Sequence, residues 1–301
     1  MKKLVLMLGV LLAGAARAEE YPLPPPGVNV VGKVQIITAK KGDTFADIGR
    51  EYGIGYDALA NANKGLDGLY LKEGDQVILP TRFILPDAPR TGIVINLPEM
   101  RLYYYPPDKP VVDVYAIGIG REGWGTPEGI MRITEKKANP TWTPPASVRK
   151  EHAEAGDPLP AIVPAGPDNP LGLFAMRLSN PSYLIHGTNK PDGVGMRVSH
   201  GCIRMYPEGI ESLFHKVGTN TQVNILNQPM KIGWYGDDLF LEFHSPLGEY
   251  ALPLEQNIAN ARSVVEGATL ARNVAVAEAD IDGVVTEETG LPTRVGFFGR
   301  E

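Results

Sequence analysis

Alternating apolar and polar residues run through the middle of the 301-residue chain and predict many short β-strands. In GIVINLPEMRLYYY, alternation at Ile93, Ile95 and Leu102 predicts a hairpin that turns at residues 98–100. Further strands are predicted at Val111–Ile119, Ile130–Thr134, Met176–Leu178, Tyr183–Ile185 and Thr221–Leu226. Many short strands with few long helices predict a mostly-β domain over residues 91–226 rather than an alternating βαβ fold.

A different pattern precedes this domain, in residues 34–80. A strand is predicted at Val34–Thr38, and Thr44 can cap a helix whose apolar positions fall three and four apart. A second amphipathic segment, Tyr56–Asn63, leads to a strand at Gln76–Leu79. The order strand, helix, helix, strand predicts a small α+β domain.

Residues 227–301 are predicted to form a C-terminal α+β extension. Two strands, Lys231–Trp234 and Leu239–Phe243, precede a helix expected from Leu254 to Ala277. Residues 139–173 are too rich in proline for a strand or a long helix, and loops of that length are usually functional or disordered. In that segment the Trp142 ring would suit a wall over a substrate cleft. Alternatively, the segment packs against the rest of the fold and has no role in substrate binding.

The first eighteen residues, MKKLVLMLGVLLAGAARA, have the pattern of a cleaved signal peptide: two lysines, a short apolar run and an Ala-x-Ala site. The apolar run is shorter than the roughly 20 residues that a membrane-spanning helix needs. We therefore expect no membrane span and a mature chain outside the cytoplasm, which begins with a proline-rich, extended leader at residues 19–33.

Charge argues against one class of partner. Without residues 1–18 the chain has 26 basic and 35 acidic side chains, a net charge of −9. Binding to nucleic acid needs clustered lysine and arginine, so no nucleic-acid partner is expected.

The segment SHGCIRM contains the only cysteine of the sequence, Cys202. A lone thiol cannot form an internal disulfide, so the side chain either fills space in the hydrophobic core or has a chemical function. A nucleophilic thiol needs a nearby base or cation, and His186 and His200 are the candidates. His186 is preferred because it ends the predicted strand Tyr183–Ile185 and precedes Gly187, whereas His200 lies only two residues from the cysteine.

The surrounding residues fit acyl transfer. Gly201 lets the backbone N–H groups of residues 200–202 point at a developing oxyanion. Arg204 can bind a substrate carboxylate. Since no acid adjoins His186 in sequence, a backbone carbonyl is expected to orient its imidazole.

A zinc site is the competing interpretation. His186, His200 and Cys202 would supply three ligands, although the sequence has neither an HExxH motif nor paired CxxC motifs.

The combination of IHGT and SHGCIRM, with sixteen positions from His186 to Cys202, resembles the YkuD-type L,D-transpeptidases of bacterial cell walls. The upstream motifs GTPEG and NPLG extend the resemblance. Residues 34–80 resemble a LysM module through Gly42-Asp43-Thr44, the asparagine-containing second helix and the closing Gly74-Asp75. Together with the signal and the extension, these features resemble the periplasmic ErfK/YbiS/YcfS/YnhG group, which implies a β-sandwich catalytic domain and a periplasmic location.

The resemblance also implies roles. Cys202 would be the nucleophile and His186 its proton acceptor, with amides at Gly201 and Cys202 forming the oxyanion hole. The rest of the substrate site would comprise Ser199, His200, Arg204, Gly187 and Tyr183. The donor would be a peptidoglycan tetrapeptide, which releases D-alanine, and carbapenems would acylate the same thiol. The acceptor amine would come from another stem peptide or from an outer-membrane lipoprotein, with no metal or organic cofactor, while the LysM-like module binds glycan chains.

Two alternatives stay open. On the same residues, water instead of an amine would resolve the thioester, which makes the protein a hydrolase. In the second alternative the protein is a non-catalytic peptidoglycan-binding protein whose function lies in residues 34–80.

Overall fold

The computed structural model describes residues 19–270 and 274–299, so the predicted signal peptide, residues 1–18, lies outside the described residues. The strands are β1 (Glu19–Pro22), β2 (Val30–Gly32), β3 (Gln35–Thr38), β4 (Gln76–Leu79), β5 (Arg82–Ile84), β6 (Gly92–Asn96), β7 (Arg101–Tyr105), β8 (Val111–Gly120), β9 (Gly129–Ala138), β10 (Phe174–Leu178), β11 (Leu184–His186), β12 (Arg197–Ser199), β13 (Ile203–Met205), β14 (Gln222–Leu226), β15 (Met230–Tyr235), β16 (Asp238–Phe243), β17 (Val274–Val276) and β18 (Thr293–Phe298). The helices are α1 (Phe45–Tyr52), α2 (Tyr56–Ala62), α3 (Ala146–Glu154), α4 (Pro207–Lys216), α5 (Leu254–Thr269) and α6 (Glu278–Glu287), with 3-10 turns at Pro191–Gly193 and Gly248–Tyr250. Among the described residues, no helix is both long and apolar enough to cross a bilayer.

The small N-terminal domain has the predicted order of elements. β3 and β4 pair antiparallel, with α1 and α2 between them along the chain. The Thr44 side chain accepts a hydrogen bond from the Asp47 N–H at 3.1 Å and caps α1, as its sequence position predicts. Both helices and the strand pair bury one core, which includes Phe45, Ile48, Leu59, Val77 and Leu79.

The predicted mostly-β domain is confirmed as a sheet that closes on itself. Its strands follow the order β8-β13-β11-β10-β9-β14-β6-β7, and β7 pairs back to β8. The expected sandwich is therefore joined at the β7–β8 edge into a barrel-like sheet, because the ten-residue β8 is long enough to pair with β7 near its start and with β13 near its end. The core inside it includes Ile93, Leu102, Ile117, Ile185 and Ile203.

The proline-rich leader, residues 19–33, is extended as predicted but packs as part of the fold. β1 pairs antiparallel with β8, and β2 pairs with β5. Tyr21 packs edge-to-face against Phe83, with ring centroids 5.0 Å apart. Four prolines in this segment obscure any apolar alternation, so the sequence carries no signal for these pairings.

The C-terminal extension forms a separate sheet, in the order β15-β16-β18-β17, whose core is shared with α5 and α6. The prediction of one helix from Leu254 to Ala277 is wrong at its end. α5 stops at Thr269, and Val274–Val276 forms β17, which pairs with the last strand. Two valines in three residues favour a strand where a partner is available.

A buried group of charged side chains joins these parts. Lys231 Nζ lies 2.7 Å from Glu99 Oε2 and 3.0 Å from Glu242 Oε1. Arg101 bonds the same two carboxylates at 2.9 and 3.2 Å. The backbone of Ile84 donates to Glu242 and accepts from Lys231, each at 2.6 Å. The β6–β7 hairpin, β5 and the β15–β16 pair therefore share one charge network, which we call the buried charge cluster.

The acids in this cluster stay ionised. Burial alone would raise the pKa of Glu242, but the charges of Lys231, His244 and Arg101 outweigh it and hold the pKa at about 2. Because this pKa lies below the ordinary value of 4.5, the stability that Glu242 contributes is present above about pH 4.5. It is lost only as the pH falls towards 2.

Replacing Lys231 with methionine should leave two buried carboxylates facing each other with one cation fewer. Removing one partner of a buried ion pair typically costs about 3–5 kcal/mol, so we expect Lys231→Met to lower the free energy of unfolding by that amount at pH 7. Urea unfolding followed by tryptophan fluorescence measures the change. Exposed Lys64 offers the matched control, since Lys64→Met removes the same charge outside the cluster. A loss below 1 kcal/mol in Lys231→Met would contradict the role given to the cluster.

Candidate active site

Two neighbouring parallel strands bring the predicted base and nucleophile to one face of the sheet. Ile185 of β11 is opposite Ile203 of β13, and both are fully buried in the core. Side chains alternate along a strand, so His186 and its partner Arg204 point to the other face. Cys202, one position before β13, follows the same alternation and shares that face. The predicted constellation therefore comes together at the junction of these two strands.

The loop that ends in Cys202 is held by hydroxyl groups. Ser199 Oγ donates to the Cys202 carbonyl at 2.6 Å and accepts from the Gly201 N–H at 3.1 Å. Thr126, from the GTPEG motif, donates to the Gly201 carbonyl at 2.9 Å. The Gly201 N–H, one of the amides expected in the oxyanion hole, is thus hydrogen-bonded to Ser199 in this structure. The Cys202 N–H is the other amide predicted for that role.

Only glycine fits at position 201. Its φ of 98° lies in the region that favours glycine, and a Cβ there would come within 2.8 Å of the Tyr183 ring. Tyr183, one of the residues predicted for the substrate site, thus lies against the loop that leads to Cys202.

His186 is oriented by a backbone carbonyl, the kind of group expected from the sequence. Its imidazole is buried, and Nδ1 lies 2.6 Å from the carbonyl oxygen of Gly187. Since that oxygen can only accept, Nδ1 carries the proton and Nε2 keeps its lone pair. Burial and the charge of Arg204 lower the pKa of His186 to about 4, against the opposing effect of the Gly187 hydrogen bond. His186 is therefore neutral at neutral pH and able to accept a proton.

The thiol of Cys202 is half-buried and protonated at rest. Burial raises its pKa, while a hydrogen bond from the Leu184 backbone and the charges of Arg177 and Arg204 act in the opposite direction. Its Sγ lies 3.8 Å from the Ser182 carbonyl oxygen. In the described part of the chain no hydrogen bond joins the thiol to His186, and such bonds often form only when substrate is present.

The His200 side chain bonds to groups other than His186 and Cys202. Its Nε2 lies 2.8 Å from Glu151 Oε2 and 3.1 Å from Arg121 Nη2. The ring packs edge-on against Trp124, with centroids 4.8 Å apart. Glu151 also forms an ion pair with Arg121.

Glu151 and Arg121 contact the predicted site residue His200, and sequence reasoning did not connect them with it. Glu151 lies on α3, in the proline-rich segment 139–173, and no local pattern connects that segment with His200. The backbone of Trp142, the residue considered as a cleft wall, bridges with Val163 within the same segment. This segment thus contacts the predicted site residue His200 through the Glu151 carboxylate.

Arg204 has a hydrogen-bond donor that a ligand could use. Its Nε is buried and has no hydrogen-bond partner among the described residues. A guanidinium with an unused donor suits a carboxylate, which accepts two parallel hydrogen bonds from it.

The three residues of the alternative zinc site do not form one cluster of ligand atoms. In the described ranges, the one group whose ligand atoms all approach within 4.8 Å consists of Glu99, Glu242 and His244. Lys231 already places its ammonium group between the two carboxylates of that group.

Comparison with known proteins agrees with the two resemblances. Residues 90–225 match the L,D-transpeptidase catalytic domain family (YkuD), and residues 37–80 match the LysM domain family. The chain is similar to the probable L,D-transpeptidase YcfS of Escherichia coli strain K12, with 46% identity over 246 residues, which cover 80% of this chain and 77% of the relative.

Two further relatives from the same strain cover still more of the chain. The probable L,D-transpeptidase YbiS is 41% identical over 285 residues, 93% of each chain. The probable L,D-transpeptidase ErfK/SrfK is 39% identical over 295 residues, 94% of this chain and 93% of the relative. With such identity over most of both chains, and with His186 and Cys202 on one face of the closed sheet, the protein belongs to the YkuD family of L,D-transpeptidases.

Proposed function

We propose that this protein is a periplasmic L,D-transpeptidase that acts on peptidoglycan stem peptides through a thioester at Cys202. The observation that carries the proposal is the state of His186. It is held by the Gly187 carbonyl with Nε2 unprotonated, on the strand beside the cysteine and on the same face of the sheet. A neutral base next to a protonated thiol is the pair that nucleophilic attack requires.

In the first half of the reaction, His186 Nε2 accepts the proton of Cys202 while Sγ bonds to the carbonyl carbon of the tetrapeptide. The Cys202 N–H donates to the developing oxyanion. The bond to the terminal D-alanine then breaks, and its amine leaves with the proton from His186. Arg204, with its unused Nε, binds the carboxylate of that D-alanine.

In the second half, an acceptor amine attacks the thioester carbon and gives a proton to His186. The carbon–sulfur bond breaks, and the proton returns to the thiolate. An amine of another stem peptide yields a cross-link, and a lysine of a lipoprotein yields an anchored protein. The LysM-type module keeps the enzyme on glycan strands during both steps.

A Cys202→Ala variant should release no D-alanine from disaccharide-tetrapeptides, because the bond to D-alanine breaks only as the thioester at Cys202 forms. Mass spectrometry of the products of the mature chain, residues 19–301, checks this. Wild type should yield D-alanine and a cross-linked dimer. Release that leaves only tripeptide would indicate the hydrolase, and turnover by the alanine variant would contradict the thiol mechanism.

The role of His186 as the base can be tested by replacing it and, as a control, replacing a second histidine. His186→Gln should lower the rate of Cys202 acylation by a carbapenem by at least 100-fold, within the range of about 10²–10⁴ for a general base. The control is His215→Gln, an exposed histidine on α4, which should acylate at the wild-type rate. Equal rates in the two variants would exclude His186 as the base.

Acylation should stay fast in mild acid, since the pKa of His186 is about 4 rather than 6.5. At pH 5.5 fewer than about 5% of imidazoles with the lowered pKa are protonated, compared with about 90% at the ordinary value. We expect the rate to change less than twofold between pH 7 and 5.5 and to halve near pH 4. Stopped-flow measurement with a carbapenem gives the profile, and a tenfold fall by pH 5.5 would show an unshifted imidazole.

Glycan binding by the module can be tested separately from catalysis. The full mature Cys202→Ala protein should pellet with purified sacculi, and tetra-N-acetylchitotetraose should release it into the supernatant by competition. Pelleting that this oligosaccharide leaves unchanged would remove the glycan role from residues 34–80.

A further inference from the structure

The connection between His186 and Cys202 is covered by the LysM-type module. Its middle part, residues 191–196, begins with the 3-10 turn Pro191–Gly193. The junction between α1 and α2 lies directly on it. There the N–H of Tyr56 donates to the Val194 carbonyl at 3.1 Å, and the N–H of Asp57 donates to the Gly195 carbonyl at 3.2 Å.

The backbones of the module and of the connection touch at two glycines, Gly55 and Gly195. A Cβ added at Gly55 would lie 2.7 Å from the Cα of Gly195, and a Cβ added at Gly195 would lie 2.2 Å from the Cα of Gly55. Real Cβ atoms essentially never come so close to another backbone. This contact therefore leaves no room for a side chain on either partner.

The module also holds the segment that follows the nucleophile. Tyr206, immediately after β13, donates from its buried hydroxyl to the Ile54 carbonyl at 2.9 Å. Arg50 of α1 forms an ion pair with Glu208 at 2.6 Å. The module thus contacts the chain both before and after the cysteine.

On its inner side the connection packs against the catalytic sheet. The Gly195 N–H donates to the Ile117 carbonyl at 3.2 Å, and the Ile119 N–H donates to the Met196 carbonyl at the same distance. A Cβ at Gly193 would lie 3.1 Å from Arg204 Nη1. Any shift of the connection away from the sheet would therefore change the surroundings of Arg204.

We propose that the LysM-type module is a positioning part of the catalytic site as well as a glycan-binding unit. By clamping residues 191–196 against β8 and Arg204, it keeps His186, Cys202 and Arg204 in their working arrangement. This inference rests on the proposed function, because it concerns acylation at Cys202. Glycan held by the module is then presented at a fixed position relative to the thiol.

Two glycine variants of the same module give a matched test. Gly55 has φ −71° and ψ 149°, which alanine also adopts, so the methyl group of Gly55→Ala disturbs only the contact with Gly195. Gly65→Ala adds the same methyl group where nothing lies within 4 Å. Both are made in the full mature chain. We expect Gly55→Ala to lower the second-order rate of carbapenem acylation at least tenfold, and Gly65→Ala to leave it unchanged.

Two further readouts separate positioning from general damage. Alkylation of Cys202 by iodoacetamide and pelleting with sacculi should both stay within twofold of wild type in Gly55→Ala, because the thiol and the glycan site remain intact. Rates are measured well below the melting temperature of each variant, so that loss of stability alone leaves them unchanged. A folded Gly55→Ala protein that acylates at the wild-type rate would overturn the inference.

A second variant keeps the test decisive if Gly55→Ala does not fold. Tyr206→Phe removes the hydrogen bond to Ile54 without adding volume, and we expect acylation to slow several-fold while alkylation persists. Acylation of this variant at the wild-type rate would then reject the positioning role. If wild type itself is not acylated, the proposed function fails instead, which is a distinguishable result.

Discussion

Burial of two carboxylates constrains how three parts of the chain meet. Glu99 and Glu242 are removed from water, and such groups remain ionised only when cations and hydrogen-bond donors surround them. Lys231 and Arg101 supply the charge, and the backbone of Ile84 supplies a donor. These groups come from three separate stretches of chain, so the catalytic sheet, the strand after the module and the C-terminal extension must meet together.

The candidate site depends on a second constraint, the direct pairing of two strands within the closed sheet. There β11 lies beside β13 in parallel, with the two isoleucines in the core and His186 and Arg204 on the other face. The hydroxyls of Ser199 and Thr126 then hold the loop between them in a backbone conformation that glycine alone adopts readily. The position of Cys202 thus depends on contacts from several distant segments.

Local patterns in the sequence account for much of this fold and for the central pair of the site. Alternation predicts the hairpin β6–β7 and the long strand β8, and the Thr44 cap predicts the start of α1. The choice of His186 with a carbonyl partner agrees with the Gly187 contact. Residues joined only by tertiary structure carry no such pattern: Glu99 lies in the predicted hairpin turn and is buried, and Glu151 reaches His200 from a proline-rich segment.

The pKa values at the site have a chemical consequence for a protein with one cysteine. Peroxides and disulfides react with thiolates, so a protonated, half-buried sulfur reacts slowly with them. In the proposed mechanism, the thiol gives its proton to His186 only when a carbonyl carbon is available for attack. Under that proposal, the protonated state that slows oxidation of the resting thiol also makes nucleophilic attack depend on a bound substrate.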